Sequence, residues 1–239
     1  MVTVKKGKDR VVPNGRYLII CDFDGTISTA DVGYELIKRF SGDGWEEIDR
    51  AYCAGMMGSK DAYTQIAALM KASQDEMGAY VLRYGGIDPY FKDFYTFCKT
   101  HGFDLVIVSD GFDFYIDAIL KKHNVCNIAY FSNVVSFHDD RRVTIEFPLR
   151  NEECDKCGNC KRSILRQYRL TYDEIIYIGN GYSDICPAQE ADVVFAKEIL
   201  YDRCMEEGGN CVYYTDFSDI KTHIERMYPF FVRRIHVNS

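Results

Sequence analysis

No apolar stretch in this chain is long enough to cross a bilayer or to form the core of a secretory leader, and no run of lysine or arginine exceeds two residues. The apolar run Tyr17 to Cys21, which follows a charged N-terminal segment, falls far short of either length. The expectation is a cytosolic protein with no membrane partner. With a formal net charge of -7, the missing basic runs also exclude nucleic acid and anionic lipid surfaces as partners. A small anionic substrate stays open, provided that the positive charge meeting it is local. Internal repeats and low-complexity tracts are absent as well. The balance of 47% hydrophobic and 27% charged residues removes the disordered and fibrous classes. What is there is 239 residues of ordinary globular composition, enough for one α/β domain carrying an insertion.

Ten cysteines suggest disulfides only in a small secreted domain, and here Cys21, Cys53, Cys98, Cys126 and Cys186 sit singly in apolar segments. Reduced, mostly buried thiols are expected. The exception is Cys154-x-x-Cys157-x-x-Cys160, which has zinc-knuckle-like spacing but no second pair at ribbon spacing, whereas structural zinc takes four ligands. Zinc, completed by His138 or another cysteine, and a redox-sensitive disulfide both stay open. Reduced thiols bracing the following loop are favoured.

Short apolar runs alternate with amphipathic stretches of helix length, which predicts βαβ units and a Rossmann-like parallel sheet in an α/β fold. The strand candidates are Tyr17–Cys21, Leu105–Val108, Ile128–Phe131, Ile175–Ile178, Val193–Phe195 and Cys211–Tyr214, with a separate hairpin at Val134–Phe137 and Val143–Phe147. Between the first two strands, roughly Thr29 to Gly86 shows helical periodicity alone. Val32, Leu36, Ile37 and Phe40 mark one face, and Tyr63, Ile66, Ala67 and Met70 another. That is too much chain for one crossover helix, so residues 29–86 are expected to form an inserted helical cap on a core made of 1–28 and 87–239.

Four segments at predicted strand ends carry the chemistry, where open α/β sheets place their active sites. Asp22 and Asp24, in Cys21-Asp22-Phe23-Asp24-Gly25-Thr26, would repel each other without a divalent cation such as Mg²⁺. They suit a covalent nucleophile (Asp22) and a general acid/base (Asp24). Gly25 lets backbone amides approach a phosphate, and Thr26 can cap the next segment. Ser109-Asp110-Gly111 ends the second strand at a helix start, a ready anion site. Lys161 offers a fixed cation for a phosphoryl group in transfer. Gly179-Asn180-Gly181-Tyr182-Ser183-Asp184 ends the fourth strand, with Asn180 and Asp184 as oxygen ligands for the metal, Asp184 alternatively orienting Lys161.

These four motifs in this order resemble the haloacid dehalogenase superfamily, over nearly the whole chain from Tyr17 to about Ile224. The helical insertion is similar to the cap of its phosphoserine-phosphatase-like branch. Ile87-Asp88-Pro89-Tyr90-Phe91, Ser109-Asp110-Gly111-Phe112-Asp113-Phe114, the turn leading to Lys161 and Tyr177 to Pro187 resemble the group that holds the methionine-salvage methylthiopentenyl-phosphate phosphatase and the phosphoethanolamine/phosphocholine phosphatases. The resemblance implies the haloacid dehalogenase fold and Mg²⁺-dependent hydrolysis of a small phosphate ester through an aspartyl-phosphate on Asp22. It also implies phosphate or substrate contacts from Thr26, Asp31, Ser109, Asp110, Gly111 and Lys161, and a metal on Asp22, Asp24, Asn180 and Asp184. Asp31, nine positions after Asp22, matches an acidic substrate contact there, and reads equally as the N-terminal acid of a cap helix. Asn180 stands where the family usually has Asp, which should weaken the metal site. That departure keeps open a non-catalytic or regulatory phosphate-binding protein, and the shared fold keeps open a phosphomutase. The C-terminal Tyr228-Pro229-Phe230-Phe231 reads as a packing plug or as the contact of a homodimer.

Overall fold

The structure is a computed structural model that describes residues 15–154 and 156–229. The chain begins with strand β1 (Tyr17–Cys21) and passes through four helices, α1 (Val32–Phe40), α2 (Trp45–Cys53), α3 (Ser59–Leu69) and α4 (Gln74–Tyr84). There follow α5 (Phe91–His101), β2 (Phe103–Phe112), α6 (Asp113–Lys122), β3 (Ala129–Phe137), β4 (Val143–Glu146), α7 (Lys161–Tyr168) and β5 (Glu174–Gly179). A 3₁₀ turn (Tyr182–Asp184), α8 (Ile185–Ala188), β6 (Val193–Ala196), α9 (Glu198–Glu206), β7 (Val212–Tyr213) and α10 (Phe217–Met227) complete it.

Side chains alternate across a strand, so a strand buried on both faces reads as an unbroken apolar run. Strand β1 shows this. Tyr17, Ile19 and Cys21 enter one buried cluster with Phe91 and Phe94 of α5, Tyr115, Ile116 and Ile119 of α6, and Phe217, Ile220 and Ile224 of α10. Leu18 and Ile20 enter the cluster on the other face with Ile164 and Leu165 of α7. Burying each such side chain contributes about 1.5–3 kcal/mol, which makes β1 the best-anchored strand of a sheet ordered β4-β3-β2-β1-β5-β6-β7. All its pairings are parallel except β3 with β4. From β1 the chain winds outward through β2 and β3, then returns across β1 to start β5. The crevice at that switch point, beyond the carboxyl ends of β1 and β5, is where such sheets bind ligands.

Helices α1 to α4 fill the interval between β1 and α5. Asp31 caps α1 by accepting from the Tyr34 amide at 2.8 Å, and Ser73 with Glu76 forms a capping box on α4. Their apolar stripe (Val32, Leu36, Ile37, Ile66, Met70, Met77, Val81) joins the α5–α6–α10 cluster instead of forming a core of its own. An isolated antiparallel bridge, Ser28 to Ile87, closes the neck of the insertion.

The structure departs from the sequence reading in three places. The third strand and the first arm of the hairpin are one strand, β3, in which Asn133 is fully buried and its Nδ2 donates to the Asp110 carbonyl (2.6 Å) and to Asp110 Oδ1 (3.1 Å). Among the cysteines expected to be buried, Cys53, Cys126 and Cys186 are exposed, and Cys204 is joined to Cys211 in a disulfide. At the C-terminus Tyr228 plugs the amino end of the sheet, its ring edge-on to Tyr17 and Phe103 and its hydroxyl donating to Glu174 Oε1 at 2.5 Å. Phe230 and Phe231 lie outside the described residues, as does the N-terminal segment up to residue 14. No helix among the described residues is long and apolar enough to cross a membrane.

Candidate active site

Asp22 follows directly on β1, and its amide donates to the Ile178 carbonyl of β5 at 2.9 Å, which fixes the loop to the neighbouring strand. The Asp22 carboxylate is 5% exposed. Lys161, the first residue of α7, reaches between β1 and β5 and donates to Asp22 Oδ1 at 2.5 Å and to Asp184 Oδ1 at 2.7 Å. Lys161 and Asp184 are 2% and 0% exposed, so neither charge is screened by water and each depends on the other.

Both oxygens of Asp184 carry donors. Oδ1 takes Lys161 and the Tyr177 hydroxyl (2.7 Å), and Oδ2 takes the Asn180 and Gly181 amides (2.9 Å each). Burial pushes the Asp184 carboxyl up, but Lys161, Tyr177 and the Gly181 amide outweigh it and hold it below the usual range. Gly179 is needed for this approach, since a Cβ there would stand 2.6 Å from the Asp184 carboxylate. Asp184 thus meets Lys161 directly, which suits one of the two roles that sequence left open for it. Asp22 has less support. Burial, then the field of Asp184, push its carboxyl well above the usual range against the pull of Lys161. Burial also opposes the charge on Lys161, yet the two aspartates keep its pKa above normal.

Two residues on, Asp24 has different company. Its Oδ1 accepts from the Val32 amide in the first turn of α1 at 2.9 Å, and its Oδ2 from the Tyr115 hydroxyl of α6. Burial, then the field of Asp31, raise its pKa to about 7, although the bonds from the Tyr115 hydroxyl and the Val32 and Gly33 amides pull the other way. Among the described residues no cation touches it.

Ser109 closes the ring at the end of β2, 1% exposed, with its Oγ accepting from the Gly111 amide at 2.9 Å. Asp110 faces inward. Its Oδ1 accepts from the Asn159 amide (2.9 Å) and from Asn133, and the Ser59 hydroxyl of α3 also donates to the carboxylate. Asn159 Nδ2 donates to the carbonyls of Ser109 and Phe131 (2.8 and 3.0 Å). A carboxylate so placed braces the loop before Lys161, its oxygens turned to protein donors. Gly111 lies where any Cβ would collide with the Tyr115 hydroxyl and Asp24. Thr26, also buried, donates from Oγ1 to Asn180 Oδ1 at 3.0 Å, while Asn180 Nδ2 donates to Glu198 Oε2 at 2.8 Å. Asp31 is on the exposed rim, where desolvation, then the fields of Asp49, Glu35 and Glu198, raise it against the bond from the Tyr34 amide.

Cys154, Cys157 and Cys160 are free thiols, Cys160 buried and accepting from the Ser163 hydroxyl at 3.1 Å. Among the described residues no three His, Cys, Asp or Glu side chains are gathered at metal-holding distances. The catalytic corner nevertheless has the chemistry of a cation site. Asp22 and Asp184 share the ammonium of Lys161, Asp24 stands two residues from Asp22 without it, and the burden falls on Asp22 as a raised pKa. A hard cation would relieve that burden, with the Asp22 carboxylate and the Asn180 side-chain oxygen, which also accepts from Thr26, as the donors at hand. Both side-chain oxygens of Asp24 being engaged, its main-chain carbonyl is the oxygen it has to offer.

Sequence reading misses Tyr115, Tyr177, Asn133, Asn159, Ser59 and Glu198. All but Tyr177, which meets Asp184 seven positions on, act through a partner distant along the chain, and such a side chain carries no local mark of that. The residues it does name (Asp22, Asp24, Thr26, Ser109, Gly111, Lys161, Asn180 and Asp184) are brought together at one end of the sheet.

Residues 17–200 match the family described as Putative Phosphatase. A relative from an Exiguobacterium species, named 2-hydroxy-3-keto-5-methylthiopentenyl-1-phosphate phosphatase, is 32% identical over 87% of this chain and 96% of its own. One of the same name from Bacillus velezensis is 29% identical over 88% of this chain and 90% of its own. Among solved structures, a phospho-aspartyl intermediate analogue of phosphoserine phosphatase superposes with a TM-score of 0.67 at 19% identity, covering 88% of this chain and 99% of that one. With the sheet, its switch point and the Asp22–Lys161–Asp184 corner in view, the chain belongs to the Putative Phosphatase family, is a phosphatase, and shares the fold of that phosphoserine phosphatase.

Proposed function

We propose that the protein is a Mg²⁺-dependent phosphomonoester hydrolase that acts on a small phosphorylated metabolite through an aspartyl-phosphate on Asp22. The observation that carries this reading is the buried Lys161 ammonium held between Asp22 and Asp184 at the ends of β1 and β5, with a second carboxyl, Asp24, two residues away on neutral donors. Lys161 and the Ser109 hydroxyl bind the phosphoryl oxygens, and the amides of the loop after Asp22 approach them. Asp22 Oδ attacks phosphorus as the bond to the ester oxygen breaks. The electron pair of that bond stays on the departing oxygen, which takes the proton of Asp24 and leaves as the alcohol. Asp24, now a carboxylate, withdraws a proton from the water that cleaves the acyl phosphate, releasing inorganic phosphate and restoring both acids. Asp184 keeps Lys161 aimed at Asp22. When bound by Asp22, Asp24 and Asn180, Mg²⁺ supplies positive charge that neutralises Asp22 and the phosphate dianion together.

Helices α1 to α4, residues 29–86, act as a cap over this edge of the sheet, and the described residues outside that interval form the core. Asp31 on the cap side favours an ester that also carries an ammonium group. The named activity of the relatives, removal of phosphate from a methylthiopentenyl phosphate, supports a small metabolite as substrate. The test is phosphate release from a panel of phosphorylated metabolites, with Mg²⁺ and with chelator, by wild type and Asp22→Asn. Metal-dependent turnover that the substitution abolishes is expected, together with a hydroxylamine-sensitive phosphate label on the wild type. Turnover indifferent to chelator would end the metal assignment, and the absence of any turnover would favour a phosphate-binding protein.

A further inference from the structure

Tyr115 is a core aromatic by position, yet its hydroxyl is directed into the catalytic corner. Its ring is fully buried and wedged against three phenylalanines, with centroids 6.1 Å from Phe23, 5.8 Å from Phe112 and 5.6 Å from Phe114. A ring so enclosed has one orientation, and its hydroxyl meets Asp24 Oδ2. The backbone makes room for it on both sides. A Cβ at Gly111 would collide with the hydroxyl, and a Cβ at Gly33, in the first turn of α1, would lie 3.3 Å from it. Asp24 is therefore held from two sides, by the Tyr115 hydroxyl from the core and by the Val32 and Gly33 amides from the inserted helices. The free thiols and the pocket of about 410 Å³ between Lys92, Lys99 and Asn127 bring no comparable convergence of groups.

We propose that Tyr115 is a positioning residue for the proton-transfer step, holding the Asp24 carboxyl in the orientation that delivers its proton to the departing ester oxygen. This rests on the phosphatase reading above. The hydroxyl touches neither phosphorus nor the leaving group. It restrains one oxygen of Asp24, while the inserted helices restrain the other, so that correct presentation of the acid requires core and insertion to be in place together. The chemistry is unchanged in balance: the P–O bond breaks, its electron pair goes to the ester oxygen, and the Asp24 proton moves onto that oxygen.

The consequence is a dependence on the leaving group. An alkoxide needs protonation as it departs and a dinitrophenolate does not, so loss of acid orientation slows alkyl esters selectively. The experiment measures kcat/KM, which reports steps up to leaving-group departure, for wild type and Tyr115→Phe on n-propyl phosphate and on 2,4-dinitrophenyl phosphate. A fall of about 30-fold or more on the alkyl ester is expected, with a change of less than about threefold on the aryl ester. Equal losses on both esters, or no loss on either, would overturn the proposal, because a purely structural role for the ring does not distinguish leaving groups. Should Tyr115→Phe fail to fold, Gly33→Ala, which crowds the same hydroxyl from α1, carries the same comparison. A wild type inactive on both esters overturns the phosphatase reading and this proposal with it. An active wild type with indiscriminate losses in the variant overturns the positioning role alone.

Discussion

Asp22 and Asp24 are two residues apart on one loop, both buried, both with a carboxyl raised by burial, and yet their surroundings are opposites. Asp22 faces charge: an ammonium at 2.5 Å, shared with the better-served Asp184. Among the described residues Asp24 faces only neutral donors, two amides and a phenol. Under the proposed mechanism, the difference lets one loop support two kinds of chemistry. A carboxylate that must attack phosphorus needs positive charge around it, and the shortfall at Asp22 is what a metal would fill. A carboxyl that must give and then take a proton near neutrality needs its two protonation states close in energy, and a midpoint of about 7 provides that.

Asp24→Asn breaks the contrast most directly. It keeps the Val32 and Tyr115 contacts within reach but leaves no transferable proton, and kcat/KM on alkyl phosphates should fall by about 10²- to 10⁴-fold, measured by phosphate release. A fall of the same size on dinitrophenyl phosphate would contradict the acid role. Lys161→Met attacks the other side. It strands two buried carboxylates, Asp22 and Asp184, and should cost about 3–5 kcal/mol of stability in metal-free protein, read from denaturant unfolding. A loss below about 1 kcal/mol would show that water or rearrangement solvates the pair.

The pH dependence of stability comes next. For Asp24 the folded pKa lies above the unfolded value, so between about pH 4 and pH 7 the native state retains a proton that the unfolded chain has released. Stability must then fall as pH rises across that window, by at most about 4 kcal/mol from this group. Thermal unfolding in chelator should show the fall in wild type and a flatter profile in Asp24→Asn; identical profiles would remove Asp24 from the account. The smallest effect sharpens the contrast on the Asp22 side. Asn180→Asp alone would set like charges against each other at Glu198, so it is paired with Glu198→Gln. The double variant should lower the Mg²⁺ concentration for half-maximal turnover about tenfold, and an unchanged requirement would take residue 180 out of the metal site.

How legible this was differs by element. β1 could be read to the residue, since a strand buried on both faces leaves five consecutive apolar residues and a polar stop. Helices α1 and α3 were legible through their stripes. β3 was not, because Ser132 and Asn133 look like a break until Asp110, more than twenty positions away, is seen to satisfy the amide. Glycine turns at strand ends named the loops of the site. They did not reveal which way each acid would face, and so Asp110, Asp184 and Asp24, alike on paper, took three different sets of partners.

The sequence by itself determined the fold class, the four strand-end motifs and the choice of Asp22 as the acid on the central strand, because these depend on short-range periodicity and on residue types at fixed spacing. Only the tertiary structure decided which acid is paired with Lys161, why Asn180 turns its amide to Glu198, and that Tyr115 holds Asp24. A carboxyl's charge state follows from burial and from donors supplied by other elements, and those are settled only when distant segments of the chain pack against each other.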